Sequence, residues 1–261
     1  MKTCAITGYS GILGSNFIKH NNDIKFIKFK EDLSKKNDIK DFIKKNSFDY
    51  FLHFGAIVPT NRVRKNFIYA RKVNHYSTIH IAKELKKKNE NIWFFFSSSS
   101  HVYGFSNKKI KETNKIKPTS KYGSLKALSE DSIHKILKNS KVKFCIGRIF
   151  SFTHKNQNKS FFVPSAFRGD AKEVNTLRDF IDVRDICSVI RILINKKKTG
   201  IFNIASGKKI NLLKIISIIK KEQMRKASNP QNNIFADISK IKSLGWKPKY
   251  DIFDILRSFK R

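Results

Sequence analysis

The sequence predicts an α/β protein: a doubly wound parallel sheet with a smaller cap built from the C-terminal part. Three observations predict it. Over the first 150 residues, short and almost wholly apolar runs alternate with longer stretches of helical periodicity, and strands that read as continuous apolar runs are those buried on both faces of a parallel sheet. A glycine-rich turn, TGYSGILG, stands between the first strand-like run and the first helical one. The length of 261 residues, 40% of them hydrophobic, suffices for one large domain or a large domain with a small one.

The elements follow in order. TCAITG reads as a strand and ILGSNFIKH as the helix that the glycines open. KFIKF is a strand, NDIKDFIKKN a helix and DYFLHFGA a strand. A long helix is expected over Asn66 to Lys88, then the strand NIWFFFS, a helix over Lys121 to Asn139, and the strand VKFCIGRI. Past residue 150 the pattern turns irregular, with Phe, Pro and Gly clusters ahead of the helical run NLLKIISIIKKEQM. The expected division is 1–150 for the sheet domain and 151–261 for the cap, the two intertwined because some cap segments return to the sheet.

The net charge of +35 is the most prominent feature of the composition. Dense Lys and Arg supply sequence-independent affinity for phosphate. Here, however, the lysines are spread through nearly every helix, as in KELKKKNENIW, HKILKNSK and KIISIIKKEQMRKAS. No single arm or stripe collects them, so the reading is a solvated lysine surface and no nucleic-acid partner. Cys4, Cys145 and Cys187 lie far apart in apolar runs without CxxC spacing, which fits reduced thiols in a cytoplasmic protein. The start, MKTCAITG, lacks the layout of a secretory signal, and no run reaches the ~18 apolar residues of a membrane span. The seven histidines show no metal-ligand spacing, and His53 falls in a buried strand.

Two stretches carry chemistry. In TGYSGILG, Gly8, Gly11 and Gly14 recur every third residue between a strand and a helix. Glycine allows the tight turn and the close approach of backbone to a pyrophosphate, and the helix N-terminus supplies free N–H groups with partial positive charge. In WFFFSSSSHVYG, an apolar strand ends abruptly in four serines, and PTSKYGSLKALSED follows downstream. Tyr122 and Lys126 are four residues apart, so a helix places them on one face, one turn apart. A neighbouring ammonium favours the phenolate and makes Tyr122 usable as an acid or base. A serine hydroxyl from the strand end can polarise a substrate oxygen.

The spacing TGxxGxxG, the strand ending SSSSHVYG and the YxxxK helix together resemble the extended short-chain dehydrogenase/reductase superfamily, which includes nucleotide-sugar epimerases, dehydratases and reductases. The resemblance implies a Rossmann-type fold with a substrate-binding cap. It implies Ser99, four before Tyr103, as the catalytic serine beside Tyr122 and Lys126. Dehydratases of the superfamily carry Asp-Glu directly after that serine and use them to eliminate water; this chain has Ser100-His101, which argues against a 4,6-dehydratase. Epimerases and 4-keto reductases need only the serine, tyrosine and lysine. Cofactor contacts are implied for Gly8, Ser10, Gly11, Ile12, Leu13 and Gly14, for Phe54, Gly55 and Ala56 in DYFLHFGAIVP, for Ser97, and for Tyr122 and Lys126 themselves. Asn74 in KVNHYSTIHIAKEL is implied as support for the active-site backbone. Asp32 and Leu33 in EDLSKKNDIKDF are implied to contact adenine.

The second strand ends in Lys28 and Lys30 with no clear acidic residue. Such an end tolerates a 2′-phosphate, so NADP(H) is favoured and NAD(H) is the alternative. In GRIFSFTHKNQNKSFFVPSAF, which resembles the substrate-lining segment, Ser151 replaces the usual Asn and His154-Lys155 replace Gly-Pro. Ser100, His101, Phe162 and Val163 are expected at the substrate. TLRDFIDVRDIC closely matches the segment in which Arg178 grips the nucleotide diphosphate; Asp182 and Asp185 are read as orienting backbone and capping a helix. The C-terminal GIFNIASGKKINLLKI and ADISKIKSLGWKP also match, so the resemblance spans nearly the whole chain. It implies an NAD(P)H-dependent reductase acting at C4 of a nucleotide-diphosphate keto sugar, for surface-polysaccharide precursors, with a nucleotide-sugar 4-epimerase as the alternative. A homodimer through the helices Asn66 to Lys88 and Lys121 to Asn139 is expected, across many exposed lysines.

Overall fold

The computed structural model describes residues 1–223 and 229–260. Its centre is a six-stranded parallel sheet of β1 (Lys2–Thr7), β2 (Ile24–Lys28), β3 (Tyr50–His53), β4 (Trp93–Ser99), β5 (Lys143–Ile149) and β8 (Gly200–Ile204), in the order β2-β1-β3-β4-β5-β8. The reversal between β1 and β3 puts a crevice above the carboxyl ends of the central strands, the place where ligands bind open α/β sheets. The chain has a Rossmann-type doubly wound fold.

β4 shows why the apolar runs are continuous. Trp93 and Phe95 point to one face and pack with Phe17 of α1 (Ile12–Lys19) and with Ile186 and Ile190 of α8 (Val183–Asn195). Phe94 and Phe96 point to the other face, among Phe42 of α2 (Lys36–Lys45), Ile81 and Leu85 of α5 (Ser77–Lys88) and Ile133 of α6 (Lys121–Leu137). Period-two alternation in a strand covered on both sides leaves no polar position until the helices end. Each of these four aromatics is 0–3% exposed, and burial of one such side chain stabilises by about 1.5–3 kcal/mol.

The helix expected over Asn66 to Lys88 is divided. α3 (Thr60–Lys65) and α4 (Phe67–Arg71) precede a π turn, Lys72–Tyr76, that runs into α5. The wider turn carries Asn74 inward, where its side-chain amide accepts from Ile57 N (2.6 Å) and donates to Ile57 O (3.0 Å). Those bonds offset the poorer backbone geometry of a π turn. Sequence periodicity does not register one inserted residue in an otherwise helical stretch.

Past β5 a small second sheet joins β6 (Ser151–Phe152), β7 (Leu177–Ile181) and β9 (Lys209–Asn211), with β7 central. Around it lie α7 (Phe162–Phe167), α9 (Leu212–Lys220), α10 (Ser239–Lys242) and α11 (Ile252–Arg257). β8 and α8, though late in sequence, belong to the large sheet and its cover, since β8 pairs with β5 and α8 packs against α1. The helical run expected to reach Met224 is α9, closed by Lys221 in the left-handed conformation (φ 60°); Met224 lies outside the described residues. Cys4, Cys145 and Cys187 are free and buried. Among the described residues, no helix is long and apolar enough to cross a membrane.

Candidate active site

The turn after β1 is set by Gly8, whose φ of 67° is left-handed and whose position leaves no room for a side chain: a Cβ there would stand 2.6 Å from Gly55 N. The loops after β1 and β3 thus touch, backbone on backbone. Gly11, the N-cap of α1, returns its N–H to Gly8 O (3.1 Å). A Cβ on Gly11 would meet only that oxygen among protein atoms, at 3.3 Å, and Gly11 lines a cavity of about 680 Å³. A bare helix N-terminus opening on such a cavity fits a pyrophosphate.

Beneath this loop Thr7 Oγ accepts Gly55 N–H (3.1 Å) and shares a hydrogen bond with His53 Nδ1 (2.7 Å), while His53 Nε2 faces Thr78 Oγ (3.1 Å). Burial, with Lys126 nearby, holds the His53 pKa down to about 3. This histidine is a neutral strut beneath the loops after β1 and β3.

The four serines at the end of β4 are all buried, at 3–8% exposure, and each has separate partners. Ser97 donates its hydroxyl to His53 O (3.1 Å) and its carbonyl accepts Lys126 Nζ (2.7 Å). Ser98 donates to Glu130. Ser99 Oγ accepts His101 N–H (3.2 Å), and Ser99 stands near enough to Tyr122 to oppose the upward shift of its pKa. Ser100 O accepts Tyr103 N–H (3.0 Å) and closes the short 3₁₀ turn Ser100–Val102. α6 starts from Ser120, whose hydroxyl caps Gly123 N–H (3.1 Å) and meets His101 Nδ1 (3.2 Å). The His101 ring stands edge-on to Tyr122, 5.7 Å between centroids.

The helix therefore brings Tyr122 and Lys126 to the serine strand end, as their spacing requires. The electrostatics differ from the expected phenolate. Burial dominates: it pushes Tyr122 up to about 12, against the opposing effect of Ser99, and pulls Lys126 down to about 7. At neutral pH the phenol keeps its proton. The spacing of YxxxK reports proximity, not the desolvation that both groups undergo.

Of the residues expected at a ligand, Gly8, Ser10, Gly11, Ile12, Leu13, Gly14, Phe54, Gly55, Ala56, Ser97, Ser99, Ser100, His101, Tyr122, Lys126, Ser151, Phe162 and Val163 line that one cavity. Five do not. Leu33 reaches the loop from behind, where a Cβ on Gly55 would meet its Cδ1. Asp32 accepts Ser34 N–H (2.8 Å), which holds its carboxyl below the usual range. Lys30 is exposed. Asn74 clamps Ile57. Arg178 lays its guanidinium on Thr176 Oγ1 (2.6 Å), Leu177 O (2.9 Å) and Asn232 O (2.7 Å), and its charge depresses the His101 pKa beyond the effect of burial. Asp182 caps α8 and Asp185 accepts from Lys249 and Tyr250 backbone N–H, the backbone roles their motif suggests. Sequence reasoning missed Thr7, Thr153, Gln157, Asn158 and Phe161. The last four line the same cavity, on a loop whose irregular sequence carries no periodic signal.

The family model described as GDP-mannose 4,6 dehydratase matches residues 14–227. The chain belongs to that family. The family comprises NAD(P)-dependent nucleotide-sugar dehydratases and epimerases. A putative UDP-glucose 4-epimerase of Methanocaldococcus jannaschii is 26% identical, the match covering 95% of this chain and 93% of the relative. A GDP-6-deoxy-D-talose 4-dehydrogenase of Aggregatibacter actinomycetemcomitans is also 26% identical, over 88% of this chain and 83% of the relative. Among solved structures, RMD from Pseudomonas aeruginosa complexed with NADPH has a TM-score of 0.87 at 20% identity, covering 99% and 98% of the two chains. MoeE5 in complex with UDP-glucuronic acid and NAD has 0.85 at 17%, covering 98% and 97%. These two likenesses bear on the fold. Within the family, this chain carries Ser100-His101 after Ser99.

Proposed function

We propose that the protein reduces the C4 keto group of a nucleotide-diphosphate deoxysugar, in making surface-polysaccharide precursors. One observation carries the reading: Ser99, Tyr122 and Lys126 share a cavity with the glycine loop, while Ser100-His101 follow Ser99 and bring no carboxylate for elimination. When bound, the reduced nicotinamide supplies a hydride. Ser99 Oγ donates to the substrate carbonyl oxygen and polarises it. Tyr122, protonated because burial pushes it up to about 12, gives its proton to the alkoxide that forms. Lys126, seated on Ser97 O, has N–H donors left for a ribose hydroxyl. The likeness to a 4-dehydrogenase of a GDP-6-deoxy sugar supports C4 chemistry.

NADPH is the favoured reductant. Lys28 and Lys30 stand at the exit of β2, Lys28 Nζ lies 5.9 Å from the ring of Tyr9 in the glycine loop, and Glu31 turns its carboxylate onto Lys30 N–H. Arg178 is assigned to the diphosphate. The unpaired buried thiols fit a reducing compartment such as the cytoplasm. Two copies are expected to pair through the faces of α4, the π turn and α6, where Ile68, Tyr69, Tyr76 and Leu128 are exposed. A 4-epimerase is the second reading, supported by the Methanocaldococcus relative. Absorbance at the reduced-nicotinamide band, with NADPH or NADH and fresh 4-keto-6-deoxy nucleotide sugars, tests the choice. Substrate-dependent loss of the band establishes reduction; no loss, with NAD released on denaturation, establishes the epimerase instead.

A further inference from the structure

Glu130 lies one helical turn past Lys126 on α6, as Lys126 lies one turn past Tyr122. It is 5% exposed, and Arg148 of β5, 3% exposed, grips it: Nε is 3.1 Å from each carboxylate oxygen and Nη2 is 2.6 Å from Oε2. Arg148 Nη1 donates to Tyr103 Oη (2.7 Å), and Tyr103 donates in turn to Asn203 of β8 (2.8 Å). The same carboxylate accepts the Ser98 hydroxyl. Ser98 sits between Ser97, whose carbonyl holds Lys126, and Ser99, which shares the cavity with Tyr122. Glu130 thus pins the strand end by its middle serine.

A buried ion pair gains little stability over apolar packing of equal volume, so stability alone is a weak account of this one. The surroundings of Lys126 suggest another. From α6 it faces the Tyr122 ring, 5.9 Å from Nζ, and Glu130; from β4, the Ser97 carbonyl and the Phe96 ring at 4.6 Å; from β3, neutral His53. Glu130 is the anion in this set, and its charge opposes the desolvation of the ammonium.

We propose that Glu130, held by Arg148, is a positioning residue for Ser99, Tyr122 and Lys126: it fixes the serine strand end through Ser98 and keeps Lys126 an ammonium that can grip a ribose hydroxyl. The proposal deepens the reading of the site above and rests on it for the role of Lys126.

The test is NADPH affinity against pH, read from the fluorescence of the reduced nicotinamide, so that no turnover is needed. Wild-type affinity falls once the pH passes the point where Lys126 loses its proton. In Glu130→Gln that break moves about one pH unit lower, as expected for loss of a close opposite charge. In Glu130→Gln/Arg148→Met, where both charges leave together, the break lies between the two. In Glu130→Asp it stays at the wild-type position while affinity drops throughout. A break at the wild-type pH in Glu130→Gln, with affinity uniformly weaker, makes Glu130 structural only and overturns the proposal. Should Glu130→Gln fail to fold, an unmoved break in the double variant overturns it equally. The shifted breaks without any keto-sugar reduction uphold this proposal and remove the reductase; reduction with unmoved breaks does the reverse.

Discussion

Gly123, directly after Tyr122, is where the fold and the chemistry meet most tightly. A Cβ there would stand 2.1 Å from His101 O and 2.8 Å from His101 C, against 3.4–4 Å for ordinary contact. Both atoms are backbone, so neither can swing aside. Gly123→Ala must part α6 from the turn Ser100–Val102 by about 1 Å or more. Two energies compete. Alanine favours the helix by about 1 kcal/mol over glycine, while overpacking costs about 1–3 kcal/mol. The net loss is about 0–2 kcal/mol, and for a chain of this size each kcal/mol lowers Tm by about 2–4 °C. Function should respond far more, because the parting separates Tyr122 from Ser99, and a 1 Å misplacement can cost about 100-fold in rate. The expected signature is a Tm within a few degrees of wild type with keto-sugar reduction down about 100-fold. Thermal melts and the nicotinamide absorbance assay, run on one preparation, check it. Full activity with a raised Tm would show that helix and turn do not approach so closely, and the reasoning would fail with it.

Other outcomes follow from single groups. Tyr122→Phe should lower reduction by about 10²–10⁴-fold, the usual worth of a general acid, with NADPH affinity nearly unchanged; a loss of affinity instead would make Tyr122 a binding group. Lys28→Glu should reverse the cofactor preference, weakening NADPH by about tenfold or more relative to NADH through loss of a charge-assisted contact; an unchanged ratio in a titration places the 2′-phosphate elsewhere. His53 has its folded-state pKa pulled from 6.5 to about 3, so the unfolded chain binds a proton that the fold excludes. Its contribution is whole above pH 6.5 and is lost as pH falls towards 3, at a slope approaching about 1.4 kcal/mol per unit. Urea unfolding across that range should show the slope, and His53→Gln should flatten it. The proposed dimer face carries Arg71 over Tyr76 and Lys121 over Phe67, cations that repel across a two-fold. Light scattering should find more dimer at 0.5 M than at 0.05 M salt, since salt screens exposed charge; a monomer at every salt concentration would rule the face out.

The layers were legible because the physics behind them is periodic. β4 alternates between two covered faces, so Trp93 to Phe96 had to be apolar throughout, and α6 repeats its inward face every turn, so Tyr122 and Lys126 had to align. What the sequence hid was aperiodic or long-range. The π turn at Asn74 adds one residue to a helix without altering its composition. Thr153, Gln157 and Asn158 meet the cavity from a loop with no repeat. The Glu130–Arg148 pair joins residues 18 apart in sequence that only the packing of α6 against β4 and β5 makes neighbours. Desolvation of Tyr122 and Lys126 comes from elements packed around them from elsewhere in the chain, so no local spacing could report it.

The serines at the end of β4 show how narrow the chemical choice is at such a place. Phe96 is the last residue covered by helices on its face, and beyond it the strand enters the crevice while remaining buried. A larger polar side chain lacks room at 3–8% exposure, and a carboxylate would need its own counter-charge. Alanine would fit, but at position 97 it would remove the donor to His53 O, and at 98 the donor to Glu130; an unsatisfied buried partner costs about 1–3 kcal/mol. A hydroxyl is small, needs no counter-ion and both donates and accepts. Adjacent residues of the strand end thereby hold the His53 carbonyl and the buried Glu130 carboxylate and meet the Tyr122 phenol. Ser97 and Ser98 spend their hydroxyls on the framework, on His53 O and Glu130, while Ser99 stands beside Tyr122 in the cavity. The hydroxyl cluster is the continuation of a buried strand into the cavity.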